Sequence, residues 1–150
     1  MIAYPDTSFL CALYRSQHNT RVAVFHRASM KESLALTSLL IFEFRQSVRW
    51  QNALFAQDRT KGFSKQEGMK MLADVQSDLD SRLLELVPAE WPDVLGIAER
   101  LSAHHTVTKG CRGFDILHVA TALHLEAREF LTFDVNQRKL AEAEGLTVPL

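Results

Sequence analysis

The chain has 150 residues, 47% of them hydrophobic and 23% charged, with a formal net charge of −1. That is enough apolar material for one core, so a single domain over 1–150 is expected, and too little length for two comfortable ones. The charge balance excludes a global attraction to nucleic acid, and two cysteines, Cys11 and Cys111, exclude a disulfide framework. Their spacing also fits neither a zinc ribbon nor a redox pair. Polar residues interrupt every apolar run well before the roughly 20 residues that a bilayer requires, so no membrane span is expected. With no basic-then-apolar leader at the start, a cytoplasmic location is expected.

In chain order, Ile2-Ala3-Tyr4-Pro5 reads as a short strand stopping at Asp6, and Thr7 to Tyr14 as a short helix. Val22, Val24, Phe25 and Met30 suit a helix over Thr20 to Met30, and Leu34-Ala35-Leu36-Thr37 resembles a short buried strand. A longer helix is expected from about Ser38 into Gln57, then a polar loop from Asp58 to Gly62. Met69, Leu72, Val75, Leu79 and Leu83 recur every three or four residues, as one face of an amphipathic helix requires. Leu84 to Val87 forms a strand ending at Pro88, and Trp91-Pro92 opens a helix with Val94, Leu95, Ala98 and Leu101 on its buried side. His104 through Gly113 reads as a loop. Phe114 to Leu125 is the most apolar helix, Phe130 to Phe133 a strand, Val135 to Glu144 a helix stopped by Gly145, and Leu146 to Val148 a last strand. Strands alternating with helices predict an α/β fold whose parallel sheet is covered on both faces.

Four carboxylates punctuate this pattern. Asp6 follows the first strand, Glu43 lies within Leu39-Leu40-Ile41-Phe42-Glu43-Phe44, Asp115 opens the most apolar helix, and Asp134 ends the Phe130 to Phe133 strand. Side chains just past several parallel strands converge on one crevice. Converging carboxylates repel unless a cation holds them, and a hard divalent ion takes such oxygens together with water and phosphate. Helix capping accounts equally well for Asp6 and Asp134, and the macrodipole for Asp115. Asp134-Val135-Asn136-Gln137 even has capping-box spacing. Glu43 resists that explanation, because a carboxylate on an apolar helix face needs a cation, a shared proton or a basic partner, with Arg45 or Arg49 as the nearest choices. His118, one turn after Asp115, is placed to orient that carboxylate, although such a histidine more often belongs to the core. His104 and His105, being adjacent, argue against a two-histidine zinc site. Lys109 and Arg112 form a basic loop ahead of Asp115, suited either to phosphate or simply to solvent.

The succession Asp6-Thr7-Ser8, Leu36-Thr37-Ser38 leading to Glu43, Arg112-Gly113-Phe114-Asp115-Ile116-Leu117-His118-Val119-Ala120-Thr121-Ala122, and Leu131-Thr132-Phe133-Asp134 resembles PIN-domain ribonucleases, in particular VapC-type toxins. Asn136-Gln137-Arg138-Lys139-Leu140-Ala141 ahead of Gly145-Leu146 continues the likeness, which runs from end to end. The helix and strand end around Asp115 and Asp134 are specific in combination; the first two motifs are short. The resemblance implies a three-layer α/β/α sandwich and an endoribonuclease dependent on Mg²⁺ or Mn²⁺, leaving 5′-phosphate and 3′-hydroxyl ends. It implies Asp6, Glu43, Asp115 and Asp134 as the acidic quartet. Asp6 and Asp115 would anchor the metal most directly, and Glu43 and Asp134 would act through water, at a second metal or on the nucleophile.

Thr132, Thr7 and Ser8 would be polar neighbours of those acids, and Lys109, Arg112 and Arg138 candidates for holding the RNA backbone. A toxin of this type is expected to form a homodimer and to be silenced by a VapB-type antitoxin, whose arginine could replace the metal's charge among the acids. The segment Asp58 to Leu83 is long for a compact member and bears on the partner surface. Alternative readings are a solitary RNA-processing nuclease of the same family, or a non-catalytic module binding RNA or protein. A phosphatase of the haloacid-dehalogenase type needs a second aspartate where Ser8 stands.

Overall fold

The structure, a computed structural model, describes residues 3–150. Strand β1 (Ala3–Pro5) leads into α1 (Thr7–Tyr14) and α2 (Thr20–Ser29); β2 (Leu34–Leu36) leads into the long α3 (Ser38–Gln57) and α4 (Lys65–Asp80). After β3 (Leu84–Leu86) come α5 (Trp91–Leu101), a π-helical turn at Ser102–Thr106, the single turn α6 (Val107–Lys109) and α7 (Gly113–His124). Strand β4 (Glu129–Leu131) and α8 (Val135–Ala143) complete the order. Of the expected first strand, Ile2 lies outside the described residues.

All strand pairing is parallel: β1 with β4, in register Tyr4 to Phe130, and β2 with β3, in register Ala35 to Glu85. The two pairs meet where β1 lies beside β2. Every residue of β1 and β2 is buried. Because successive side chains point to opposite faces, both faces of these strands are covered, as a parallel sheet requires. The helices fall into two packed groups, α1 to α4 and α5 to α8 with the π turn, which supply those covers. The result is the expected α/β architecture. Tyr4, Phe9, Phe44 and Phe130 are the largest wholly buried side chains and fix the core around β1.

Several expectations are corrected by packing. The helix suited by Val22, Val24, Phe25 and Met30 forms, but Val22, Val24 and Phe25 are exposed and Ala23 is its buried residue. On α4, Met71 is buried while Met69 is exposed, and Leu83 lies beyond the helix. Leu95 of α5 is likewise exposed. The stretch from His104 is helical rather than a loop, since α5 runs through the π turn into α6 before Gly110 stops it with φ +64. A left-handed glycine is a common helix stop because no Cβ opposes that conformation. The final strand shrinks to one bridge between Glu129 and Thr147.

Candidate active site

The carboxyl ends of β1 and β4 lie side by side. The Asp6 amide donates to the Leu131 carbonyl at 3.0 Å, adding one bond to the β1–β4 pairing. Asp6 has no exposed surface, yet its carboxylate is well supplied with donors. Oδ1 accepts from Ser8 Oγ at 2.7 Å and from the Phe9 amide at 2.9 Å, and Oδ2 from Thr132 Oγ1 at 2.6 Å. The Phe9 bond makes Asp6 the N-cap of α1. Capping does not exhaust the group, since a carboxylate offers about four acceptor positions. Burial pushes the Asp6 carboxyl above its ordinary range, against the pull of the Thr132, Ser8 and Phe9 bonds and of His118.

Thr132 also accepts from the Asp134 amide at 2.9 Å, so one hydroxyl links Asp6 to the backbone of Asp134. Asp134 caps α8 through Oδ1 alone, which accepts from the Asn136 and Gln137 amides at 2.7 and 3.0 Å. The reciprocal half of the expected capping box is not made, and Gln137 Oε1 is buried without a partner among the described residues. Ser8 Oγ, besides donating to Asp6, accepts from the Phe133 amide at 2.8 Å. The short Thr and Ser side chains after β1 and β4 thus bind the two strand ends together.

Glu43 reaches this region from α3. Its carboxylate receives the Thr7 hydroxyl and, at 2.5 Å, Nε2 of His118. Arg45, one of the basic partners considered for it, donates to Gln76 instead. Desolvation works against the Glu43 charge, but the His118 hydrogen bond and charge, with the Thr7 bond, outweigh it and hold the carboxyl below its ordinary value. His118 is wholly buried and serves Glu43, not Asp115 one turn away, which corrects the expected pairing. Its Nδ1 has no partner among the described residues.

Asp115 stands in the first turn of α7, half-buried. Burial raises its carboxyl, and the charges of Asp134 and Glu43 raise it further, against the amide and charge of Arg112. Asp115 therefore senses both neighbouring acids.

Among the described residues, no group of three or more His, Cys, Asp or Glu side chains stands close enough together to hold a metal ion as it is. The donors nevertheless fit a hard divalent cation: they are all carboxylate oxygens, and the mutual repulsion registered at Asp115 is what such an ion would relieve. Of the basic residues, Arg112 is the exposed N-cap of α7, and Lys109 ends α6. Arg138, the third candidate for the RNA backbone, donates to the Leu150 carbonyl. A cleft of about 580 Å³ between α1 and α4, lined by Tyr14, Arg15, Glu67 and Asp78, contains none of the four acids. Three exposed apolar residues next to the acids, Phe42, Phe114 and Val135, went unnoticed in the sequence; their adjacency is legible there and their exposure is not.

The sequence model of the PIN domain matches residues 3–143. Among curated proteins no sequence matches. In three dimensions the chain is similar to VapBC2 from Rickettsia felis bound to a DNA fragment from its promoter, at 16% identity and TM-score 0.65, covering 99% of this chain and 97% of that one. It is also similar to FitAcB from Neisseria gonorrhoeae, at 20% identity and TM-score 0.59, covering 99% and 96%. A FitAB complex with the IR36 DNA fragment aligns at 22% identity and TM-score 0.64, covering 99% and 93%. With the family's sequence pattern matched over nearly the whole described length and the same fold in these structures, the chain belongs to the PIN domain family.

Proposed function

We propose that this chain is a divalent-metal-dependent endoribonuclease and the toxin of a VapBC-type pair. The observation that carries the reading is the linked set of acids: Asp6 buried but supplied by Ser8 and Thr132, Asp134 tied to the same Thr132, Glu43 held by His118 and Thr7, and Asp115 raised by Asp134 and Glu43. Asp6 and Asp115 would hold Mg²⁺ or Mn²⁺ most directly, and Glu43 and Asp134 would complete the donor set. When bound, the cation supplies a more acidic water and offsets charge on the scissile phosphate. Thr132 and Ser8 fix Asp6 in place through their hydroxyl protons and favour its charged form against the effect of burial. His118 holds Glu43 as a carboxylate, able to accept a proton from an attacking water. Arg112, exposed at the start of α7, would contact the RNA backbone beside Asp115, whereas Arg138 is bonded to the Leu150 carbonyl.

An antitoxin of VapB type and a homodimer are the partners this reading brings. The similar folds are VapBC and FitAB assemblies, which supports the antitoxin, and the exposed Val22, Val24 and Phe25 of α2 are apolar surface that a protein partner would cover. Among the described residues no helix is long and apolar enough to cross a membrane. The test is incubation of the purified protein with mixed structured RNAs in Mg²⁺ or Mn²⁺, beside EDTA and an Asp6→Asn variant. Metal-dependent cleavage that the variant loses is expected. Equal cleavage by the variant, or none with any RNA and metal, would reject the assignment.

A further inference from the structure

The acids stand beside exposed apolar surface. Phe114 immediately precedes Asp115 and is 42% exposed, and its ring centroid lies 6.5 Å from that of His118 at an interplanar angle of 47°. His118 in turn holds Glu43. One aromatic ring is therefore bounded by Asp115 along the chain and by the His118–Glu43 pair in space. Arg112, two residues earlier, is exposed, and its charge is felt at Asp115.

We propose that Phe114 is a nucleobase-stacking residue, taking the base of a nucleotide that flanks the phosphate held at the acidic site, while Arg112 contacts the backbone. The inference rests on the phosphodiester reading of that site. Packing against buried His118 anchors one side of the ring and leaves the rest to solvent, so the platform is already positioned before a ligand arrives. An aromatic face flanked by a cation matches what single-stranded nucleic acid requires, because every base has a π-face and the backbone is anionic. A protein partner also favours aromatic rings, but the Arg112 cation and the acidic site flanking this one match a nucleotide beside the held phosphate. Stacking also demands that the base leave its helix, so paired RNA is the poorer ligand.

The test is binding, measured in Ca²⁺ with RNA integrity checked on gels. The probes are a single strand of about 12 nucleotides carrying 2-aminopurine and the same strand in a duplex. Wild type is expected to quench the 2-aminopurine and to prefer the single strand. Phe114→Ala should weaken single-strand binding by about 5- to 150-fold, the usual range for one stacked base. Phe114→Tyr should keep both quenching and affinity, and Phe114→Leu, apolar but not aromatic, should restore neither. Equal affinity of wild type and Phe114→Ala, or a Leu variant as good as Phe, overturns the proposal. So does a Phe114→Ala variant that loses a dimer in sedimentation velocity while binding RNA unchanged, which would make the surface a protein interface. Wild type that binds and stacks RNA but cleaves none in Mg²⁺ or Mn²⁺ would refute the nuclease and leave Phe114 its role.

Discussion

Asp6 is the most buried of the four acids, with no exposed surface and three donors on its carboxylate. Burial raises its carboxyl, so the folded protein binds that proton more tightly than the unfolded chain does. A carboxyl raised by folding stabilises at low pH, and the benefit disappears as pH climbs from the ordinary carboxylate range through the folded value. In EDTA, the melting temperature of wild type relative to Asp6→Asn should therefore fall as pH rises above about 4, the ordinary carboxylate region. A difference that ignores pH would contradict this. Glu43 is the reverse case, kept ionised by His118. Partners behind a metal ligand typically matter by about 10- to 100-fold, so His118→Ala should lower RNA cleavage by that amount, whereas Arg138→Ala should leave it nearly unchanged. Kinetic constants for the two variants decide it. Asp6, Asp115 and Asp134 stand out in the sequence because strand ends and helix starts show there, and Glu43 because it interrupts an apolar stretch. The His118–Glu43 contact spans 75 residues, and nothing local announces it. Spacing on one helix pointed instead to Asp115, because a neighbour on the same helix is the only contact a lone sequence offers.

At the scale of elements, the α3–α4 hairpin shows most clearly what sequence does and does not fix. The reading of α3 as Ser38 to about Gln57 matched because Thr37 caps its start and Asp58 its end. On α4 the start is secured by a capping box between Ser64 and Glu67. Gly68 looks like a defect in that helix, yet a Cβ there would lie 2.3 Å from Asn52 Oδ1. Asn52 cannot simply move, since its amide donates to the Phe63 and Ser64 carbonyls at 3.0 and 2.9 Å. Gly68→Ala should thus destabilise by about 1–2 kcal/mol, the worth of those bonds, although alanine is the better helix former. Urea unfolding measures it, and a stabilised variant would show that Asn52 yields freely. The misjudged elements share a cause. Periodicity reports that a helix has apolar residues without saying what covers them, and Val22, Val24 and Phe25 of α2 are exposed. The Thr- and His-containing run after Leu101 has modest helix propensity, and its continuation from α5 and the His105–Glu144 bond at the end of α8 hold it. Gly110 was the available sign that the helix ends there.

Across the molecule, the turn after α5 is fastened to the end of α8. Glu144 accepts from His105 Nε2 at 2.7 Å and from Arg100 Nη1 at 2.9 Å. Partial burial opposes the Glu144 charge, but those two partners prevail and hold its carboxyl below the ordinary value. Such a group stabilises above its unfolded-state pKa, and the contribution is lost as pH falls through the lower folded value. Glu144→Gln should cost about 1–2 kcal/mol near neutrality, with the deficit shrinking below about pH 4. Melts across that range test it, and a constant deficit would count against it. The β1–β4 ends, joined through Thr132 and Ser8, hold Asp6 near Asp134, and these are two of the four acids proposed as one site. Whether they act as one is decided most directly by calorimetric titration of Mn²⁺ into wild type, Asp6→Asn and Asp115→Asn. Saturable binding to wild type, lost or weakened at least about tenfold in each variant, is predicted. Equal binding by all three proteins, or none by wild type, would contradict a shared metal site.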